Sequence, residues 1–472
     1  MQRAFEAMLL YDPLRCPEPN PLVSGLFFCM TTPVPPSHDP YAALRVPDFR
    51  YYVFNSFLIT ATLLIQEVIV GYELYKMTHN PLALGLIGLA EAIPFILLSL
   101  FGGHLADRRD KKRILQVSLL VIMLGSVVLY LAFRPAVVGQ LTQATRLAVI
   151  YGVLMLIGTA RGFYSPASSS LKPFLVPRAL YANSATWSSS FWQAGAIAGP
   201  GVAGFLYAAF GFDNTLLVVL GLYLLCFVFL SLIKRQTAPT VPNTASASLG
   251  LWASLREGFA FVFSNRIVLY AISLDLFSVL FGGVVAILPI FAEDILRVDA
   301  AGWSSLGITP VLSNGQLIVP PAVVLGFLRA APSVGAVITM LALARFPPTV
   351  NAWRNMLLAV AGFGVATLVF AVSTNFYLSI VMLGLTGAFD SVSVIIRQTI
   401  MQLLPPDHLR GRVAAVNGIF VSSSNEIGAF ESGVAASVLG TIPSVVAGGA
   451  VTLLVVGYIY TRSKDLFGVR LT

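Results

Sequence analysis

The stretch Gly103-His-Leu-Ala-Asp-Arg-Arg-Asp-Lys-Lys-Arg113 separates two apolar runs, near residues 82–102 and 114–133. An apolar run of about 20 residues is long enough to cross the hydrocarbon core of a bilayer. Short loops rich in Lys and Arg stay preferentially on the cytoplasmic side of a membrane. The stretch therefore predicts a cytoplasmic connection between two membrane-spanning helices.

Composition extends this prediction to the whole chain. Of the 472 residues, 57% are hydrophobic and only 11% are charged, whereas a soluble domain has about 25% charged residues. This composition excludes a soluble, disordered or fibrous protein. The formal net charge of +8 is typical of a membrane protein with basic cytoplasmic loops, so we expect a lipid bilayer and no nucleic acid as a partner.

Similar apolar runs recur along the chain and predict twelve spans, which we number in chain order. They lie near residues 51–76, 82–102, 114–133, 148–166, 183–210, 214–233, 267–291, 323–343, 355–373, 376–396, 413–439 and 443–461. An even number of spans puts both termini on one side, and most of the 29 Lys and Arg residues share that side with the basic stretch. We therefore expect an all-α protein of the cell (inner) membrane with both termini in the cytoplasm.

The spans divide the chain into two halves. We expect a cytoplasmic leader at 1–49, six helices in 50–234, a linker with an amphipathic helix at 235–265, six more helices in 266–462 and a tail at 463–472. The apolar run 22–30 is short and has no cleavage site, so no signal peptide is predicted, and Met30 is an alternative start. The outside connection 293–322 would fit a hairpin or a re-entrant element.

An internal repeat relates the two halves. A shift of 229 residues places Gly158 on Gly387 and Pro177 on Pro406. The same shift places Gly199, Gly204 and Gly211 on Gly428, Gly433 and Gly440. Helices 4 and 5 thus look like copies of helices 10 and 11 in the same orientation, which predicts two parallel-related six-helix halves.

The basic stretch from Gly103 to Arg113 resembles the signature G-x-L-a-D-r-x-G-r-k-r of the major facilitator superfamily. It departs from the signature at Asp110, where the family usually has glycine. The resemblance implies that Asp107 lies against the N-terminus of helix 11 and locks a cytoplasmic gate, with neighbouring basic residues in a charge network on the same face. The residues assigned to this gate motif are Gly103, Asp107, Arg108, Lys111, Lys112 and Arg113.

Helix 5 carries a second resemblance. Gly195, Gly199, Pro200 and Gly204 match the G-x-x-x-G-P-x-x-G-G motif of proton-coupled drug exporters in the superfamily, with departures at Ala203 and at Trp187 upstream. Plain packing of small residues is the alternative interpretation. Further stretches near residues 48–50, 81–85, 328–332 and 409–413 resemble the branch that holds enterobactin exporters and macrolide-efflux proteins.

Charges inside the spans are the candidate functional residues, because a charge at the bilayer centre costs about 2.5–3.5 kcal/mol on insertion scales. Helices 3, 6, 9 and 12 carry none, which fits helices that face lipid. The residues assigned to proton coupling or to a substrate cavity are Glu67, Glu91, Arg161, Asp275, Arg329, Asp390, Glu426 and Glu431.

Structural roles are open for several of these charges. Glu73 and Arg397 lie close enough to span ends to reach the membrane surface. Asp390 and Arg397 are seven residues apart on one helix face, so they would fit an ion pair that serves structure alone. Arg329 would fit a partner at a helix kink, and pairing is equally open for the acids of helices 1, 2, 7 and 11.

The sequence offers no enzyme motif and no cofactor or metal site: it has no phosphate loop, zinc-binding helix or nucleophile elbow, and its four histidines lie in polar connections. We expect a monomeric secondary transporter, an antiporter that exports amphipathic small molecules in exchange for protons. Buried carboxyl groups titrate above their usual pKa of about 4, which favours Glu67 or Glu91 as proton carrier. An importer, a lipid-moving facilitator and a non-transporting sensor are the alternatives.

Overall fold

A computed structural model describes residues 39–234, 251–300, 303, 310–313, 316–346, 348 and 351–467. Nearly all of these residues are helical. The predictions for most of the leader, for the linker before residue 251 and for the last five residues of the tail lie outside the described residues.

The N-terminal half consists of helices α1 to α6. Their bounds are Pro47–Thr78 for α1, Pro81–Arg108 for α2, Lys111–Ala132 for α3 and Gln143–Leu175 for α4, followed by one helical run Tyr181–Leu232. Gly211 has non-helical backbone angles and divides this run into α5 (181–210) and α6 (212–232). α1 and α2 begin with proline, whose missing N–H is not needed in the first turn of a helix.

The C-terminal half consists of helices α7 to α12. Their bounds are Arg266–Gly282 for α7, Pro321–Arg345 for α8, Ala352–Val372 for α9, Phe376–Leu403 for α10, Asp407–Leu439 for α11 and Thr441–Arg462 for α12. α7 continues through the short helices Val285–Ile287 and Leu288–Ile290 and the π-helical turn Phe291–Ile295. The linker helix Leu251–Ser264 precedes this half, and its Glu257 pairs with Arg412 of α11.

The connection between α7 and α8 contains a small antiparallel hairpin. Strands β1 (Val311–Ser313) and β2 (Gln316–Ile318) pair with Val311 opposite Ile318. Of the two structures that the sequence left open for residues 293–322, the described part of the segment therefore forms the hairpin.

The helices are long enough for the predicted spans. Ten helical runs among the described residues are long and apolar enough to cross a membrane, and one of them, 183–232, contains both α5 and α6. α11 is 33 residues long but more polar than the other helices. The part of the chain that the structure describes thus holds twelve long helical segments, in agreement with the sequence.

The backbone supports the internal repeat. Gly211 and Gly440, which the 229-residue shift aligns, both have a positive φ, of 76° and 89°. Only glycine adopts this region at little steric cost, and each glycine alone separates two helices, α5 from α6 and α11 from α12. The two halves therefore reverse direction by the same one-residue turn.

The two ends of the bundle differ in how the halves meet. We call the end with Pro47 and Arg462 the termini side, and the end with residues 293–320 the loop side. On the loop side, a Cβ added to Gly433 of α11 would lie 2.5 Å from Cα of Gly85 in α2, and one added to Gly204 of α5 would lie 2.2 Å from the carbonyl oxygen of Ala322 in α8. Backbones that approach so closely hold the halves together on the loop side.

The helices without internal charges carry exposed apolar side chains. Leu124 of α3, Leu224 of α6, Leu358 of α9 and Leu454 of α12 are all exposed. Exposed apolar side chains are typical of a surface in contact with lipid, and they occur on other helices too, among them Leu97 of α2 and Leu341 of α8.

Candidate functional site

A cavity of about 340 Å³ lies between the two halves, where residues of α1, α2, α4, α8, α9, α10 and α11 and of the segment 279–289 meet. The structure brings six of the eight assigned charges to its wall: Glu67, Glu91, Arg161, Arg329, Asp390 and Glu426. Apolar side chains, among them Ile87, Phe363 and Leu383, form much of the remaining surface. The site thus combines four carboxylates and two guanidinium groups with an apolar wall.

Both arginines of the cavity form ion pairs with glutamates. Arg161 of α4 donates from Nη1 to Oε2 of Glu91 in α2 over 2.6 Å, within the N-terminal half. Arg329 of α8 donates from Nη1 to Oε1 of Glu67 in α1 over 2.8 Å, across the two halves. Charge-assisted bonds of this length are among the stronger hydrogen bonds in proteins, so one pair braces a half and the other joins the halves.

The two carboxylates on the C-terminal wall have no such partner. Neither Asp390 of α10 nor Glu426 of α11 makes an ion pair or a side-chain hydrogen bond with the described residues. Glu426 is near enough to Arg161 and Glu67 to interact with them electrostatically across the cavity. The cavity therefore carries two carboxylates more than its own cations balance.

This arrangement, two helical halves around a charged central cavity, agrees with a comparison of the sequence with known families. The sequence profile described as Major Facilitator Superfamily matches residues 51–429. The protein belongs to the Major Facilitator Superfamily. It is a multi-pass membrane transporter of small molecules, in a superfamily whose members are not enzymes.

Curated superfamily relatives include exporters. The chain is 24% identical to the multidrug efflux pump Tap of Mycolicibacterium fortuitum over 391 residues, which cover 79% of this chain and 85% of the pump. It is 25% identical to the enterobactin exporter EntS of Escherichia coli O1:K1 over 420 residues, or 87% and 90% of the two chains. A staphyloferrin A transporter of Staphylococcus aureus is 23% identical over 78% of this chain and 84% of its own length.

Solved transporters have the same fold. A POT family transporter in complex with 5-aminolevulinic acid superposes with a TM-score of 0.66 at 12% identity, over 89% of this chain and 96% of its own. A bacterial homolog of the human lysosomal transporter Spinster superposes with a TM-score of 0.65 at 14% identity, over 90% and 99% of the two chains. At these identities the likeness extends to the fold alone.

Two of the assigned charges do not lie in the transporter's cavity. Asp275 of α7 is buried and forms an ion pair with Arg397 of α10. Glu431 lies with Phe430 and Val434 along a separate groove of α11. Sequence spacing placed these acids on cavity helices, but it does not determine which side of a helix faces the centre.

The expected role of Arg397 also needs correction. Arg397 is buried, so it does not reach the membrane surface, and it pairs with Asp275 rather than with Asp390. A buried guanidinium without an anion is very costly, and the buried acid of the neighbouring helix provides one. Glu73 accepts a hydrogen bond from Oη of Tyr207 in α5, and its expected reach to the membrane surface stays a prediction.

Sequence reasoning missed a group of hydrogen bonds on the loop side of the transporter. Tyr72 of α1 donates from Oη to Oε2 of Glu293 over 2.6 Å, and Tyr75 of α1 donates to Asp294. Both bonds join the N-terminal half to the π-helical turn after α7. Together with the Glu67–Arg329 pair, they form a polar seam between the halves from the cavity to the loop side.

The structure describes the side chains of the basic residues of the gate motif but not that of Asp107. The side chain of Asp107 lies outside the described residues, so its predicted contact with α11 stays a prediction. Lys112 donates from Nζ to the carbonyl oxygens of Ser231 and Ile233 at the end of α6, over 2.8 and 2.6 Å. Lys111 lies over the ring of Phe174 in α4, 4.6 Å from its centroid. These lysines therefore brace the N-terminal half.

The rest of the gate motif shows how the chain turns there. Asp110 has φ −63° and ψ 114°, and its carboxylate caps α3 by accepting a bond from the backbone N–H of Lys112 over 3.1 Å. The turn therefore needs no glycine at this position. Arg108 is exposed, Arg113 approaches Asp110 at 3.8 Å, and Gly103 has open space beside its Cα.

The helix 5 motif contacts two different helices. A Cβ added to Gly195 or to Gly199 would lie 2.6 or 2.7 Å from carbonyl oxygens of α1, and Gly204 lies against α8 of the other half. The carbonyl oxygen of Pro200 lies beside Gly326 of α8. The motif therefore sets the distance of α5 from its own half and from the opposite half.

Proposed function

We propose that this transporter is a monomeric antiporter of the inner membrane that exports amphipathic small molecules in exchange for protons. The observation that carries the proposal is the cavity, where four carboxylates and two guanidinium groups face each other between the halves. Ionisable groups in membrane spans are costly and commonly mark ion and proton pathways. Both walls come from one chain, so a monomer contains the whole site.

Glu67 and Glu91 are the proton carriers in this proposal. Each acid is bound to one arginine, so protonation of its carboxylate removes the charge that holds the pair. Because the Glu67–Arg329 pair joins the halves, a proton on Glu67 weakens their contact. Proton binding would then be coupled directly to the change between the two open states.

The asymmetry of the two ends supports alternating access in this proposal. The halves are joined on the loop side by close helix contacts and by the bonds of Tyr72 and Tyr75. The side chains of Arg161 and Glu67 nevertheless remain 36% and 35% exposed in the middle of the bundle. The conformation is thus closed on the loop side, and with both termini in the cytoplasm it would load cargo from the cell interior.

Reconstitution into proteoliposomes tests the proposal. Drugs and siderophores, the cargo classes named for the relatives, are screened with a pH-sensitive dye in the lumen. Export by antiport predicts that an imposed pH gradient drives accumulation of a cargo and that the cargo in turn moves protons. Cargo exchange without proton movement would instead favour a facilitator, uptake along with protons an importer, and no exchange at all a sensor.

Substitutions separate the coupling acids from other acids in the spans. Glu67→Gln and Glu91→Gln keep the size of each side chain and should spare folding and cargo exchange while abolishing pH-driven transport. Glu431→Gln is the matched control, because Glu431 is an acid of α11 outside the cavity. If both cavity variants keep wild-type pH-driven transport, Glu67 and Glu91 are not the proton carriers.

A further inference from the structure

We propose that the N-terminal half contains a hydrated proton path of its own, which connects Glu91 with the termini side without passing through the cavity between the halves. The inference rests on the proposed function, in which Glu91 carries a proton, and it adds the route by which that proton leaves. Its evidence is a second chamber beside the ion pairs and a row of buried polar side chains that leads from this chamber to the termini side.

The second chamber lies inside the N-terminal half. It has a volume of about 180 Å³ and is lined by side chains of α1, α2, α4 and α5. Glu67, Glu91 and Arg161 line both this chamber and the cavity between the halves. One water molecule takes up about 30 Å³ in the liquid, so the chamber has room for several water molecules in contact with the proton carriers.

Gln66 of α1 is the first polar group that leads away from the chamber, whose wall it joins with only 3% of its surface exposed. Its Oε1 accepts hydrogen bonds from Oη of Tyr223 in α6 over 3.0 Å and from Oγ of Ser126 in α3 over 2.8 Å. Its Nε2 has no hydrogen-bond partner among the described residues. A buried amide group without a partner is costly, and water in the chamber offers the missing acceptor.

The row continues through the interior of the half to α4 and α1. Cys226, one turn of α6 beyond Tyr223, is buried and interacts electrostatically with Tyr223 and with Tyr164 of α4. Oη of Tyr164 accepts a hydrogen bond from Nδ2 of Asn55 in α1 over 3.0 Å. Asn55 is only 1% exposed, and its Oδ1 is a second buried atom without a partner in the described part of the chain. Water between these side chains would satisfy it.

The row ends close to the termini side. Oη of the buried Tyr52 lies 3.0 Å from Oγ of the half-buried Ser168 in α4, and the neighbouring Ser169 is exposed. Gln66 and Tyr52 are 14 positions apart on α1, or about 21 Å at 1.5 Å per residue. This distance exceeds half of the hydrocarbon core, which is about 30 Å thick. Polar groups buried in spans are costly and commonly functional, and here they form one continuous series.

A proton moves along this series by hops between water and hydroxyl groups. The carboxyl group of Glu91 releases its proton to water in the chamber. Each hydroxyl oxygen farther along accepts one proton and releases its own O–H proton to the next acceptor, so one proton reaches the termini side for each one that leaves Glu91. The amides of Gln66 and Asn55 hold water and hydroxyl groups in position. Cargo in the cavity between the halves therefore does not block the exit of the proton.

The thiol of Cys226 reports whether protons and water enter the row. In the variant Cys16→Ser/Cys29→Ser it is the one cysteine of the chain, so the infrared S–H band belongs to it alone. The full-length protein in lipid bilayers is transferred to D₂O, and conversion of S–H to S–D is followed together with the amide bands. We expect the thiol to exchange on the order of tenfold faster than the protected helix amides, because no local unfolding is needed.

Variants test whether the path is open at both ends. Gln66→Leu blocks it at the chamber and Asn55→Leu blocks it towards the termini side, so each alone should leave Cys226 exchange fast from the other end. The double variant should slow exchange to the rate of the helix amides. Thr62→Val is the matched control, because Thr62 is buried on the same face of α1 and its hydroxyl bonds to the carbonyl oxygen of Leu58 in its own helix.

Each outcome decides between the possibilities. A wild-type thiol that exchanges no faster than the helix amides, or a double variant that exchanges as fast as the wild type, overturns the path. A single variant that slows exchange as much as the double variant shows access from one end only and also overturns it. Because neither cargo nor a gradient is present, the measurement is independent of transport. Fast exchange without pH-driven transport would overturn the proposed antiport and keep the path, whereas pH-driven transport with a slowly exchanging thiol would do the reverse.

Discussion

The pairs Glu91–Arg161 and Asp275–Arg397 have the same chemistry in different surroundings. Each joins two helices of one half, α2 to α4 in the first case and α7 to α10 in the second. The side chains of Arg161 and Glu91 are 36% and 10% exposed and both line the cavity, whereas those of Arg397 and Asp275 are only 5% and 6% exposed. A charge pair inside a membrane protein is therefore not in itself a functional site. In the proposed antiport, access from the cavity distinguishes a pair that exchanges protons from one that only fixes the packing.

The largest expected effect comes from breaking the buried pair Asp275–Arg397. Arg397→Leu leaves the carboxylate of Asp275 buried without a partner, and loss of one member of a buried pair costs about 3–5 kcal/mol. Thermal unfolding in detergent should show a large loss of stability. The double variant Asp275→Leu/Arg397→Leu should recover most of it, and a single variant as stable as the wild type would contradict a structural role.

The accessible pair Glu91–Arg161 should lose less stability but more function. Arg161→Leu leaves Glu91 beside a cavity, where water or a proton can compensate it, so the loss should be nearer to about 1.5–3 kcal/mol, as for a hydrogen bond to a charged group. Transport driven by a pH gradient should nevertheless be lost. A variant that is as unstable as Arg397→Leu, or that keeps full transport, would remove the distinction between the two pairs.

A smaller effect is expected at the loop side. Tyr72→Phe and Tyr75→Phe each remove a hydrogen bond between the halves and should shift the population towards an open loop side by about 0.5–1.5 kcal/mol each. Spin labels at the exposed residues Asn80 and Leu439 would measure the separation of α2 and α11.

Tyr207→Phe is the control for the loop-side variants. It also loses a bond to a carboxylate, that of Glu73, but both partners belong to the N-terminal half. The distance between the labels should therefore stay as in the wild type. If Tyr207→Phe opens the loop side as much as the other two variants do, the bonds between the halves are not what holds it closed.

The smallest effect concerns the helix cap between α2 and α3. Asp110→Ala should cost about 1 kcal/mol of stability, while Asp110→Gly, which restores the glycine of the family signature, should cost only a few tenths. Thermal unfolding of the two variants side by side measures the difference. Equal losses would mean that the carboxylate does not act as a cap.

The architecture could be predicted from sequence because its signals are local or periodic. Apolar runs give the spans, and glycines at a fixed spacing give the repeat, including the equivalent turns at Gly211 and Gly440. Which charged residues form ion pairs with each other could not be predicted, because the pairing depends on how helices distant in sequence pack. Arg397 shares a face with Asp390 on its own helix, yet it pairs with Asp275, 122 positions away along the chain.

The loop-side tyrosines were missed for a different reason. Tyrosine near the end of a span is commonly an anchor at the membrane surface, so Tyr72 and Tyr75 carry no distinct signal in a single sequence. Only the fold brings the turn after α7 beside them. The same holds for Asp390 and Glu426, because a pattern identifies a charge in a span but not whether the described residues around it form an ion pair with it.

At Gly211 and Gly440 a single residue separates two consecutive helices, so no further loop residues lie between them. α5 and α11 contact the opposite half, while α6 and α12 present apolar side chains outward. A rigid tilt of either inner helix therefore carries its outer neighbour through the surrounding lipid. Under the proposed alternating access, each cycle then includes displacement of the bilayer, so the turnover rate should depend on the thickness and stiffness of the membrane that holds the protein.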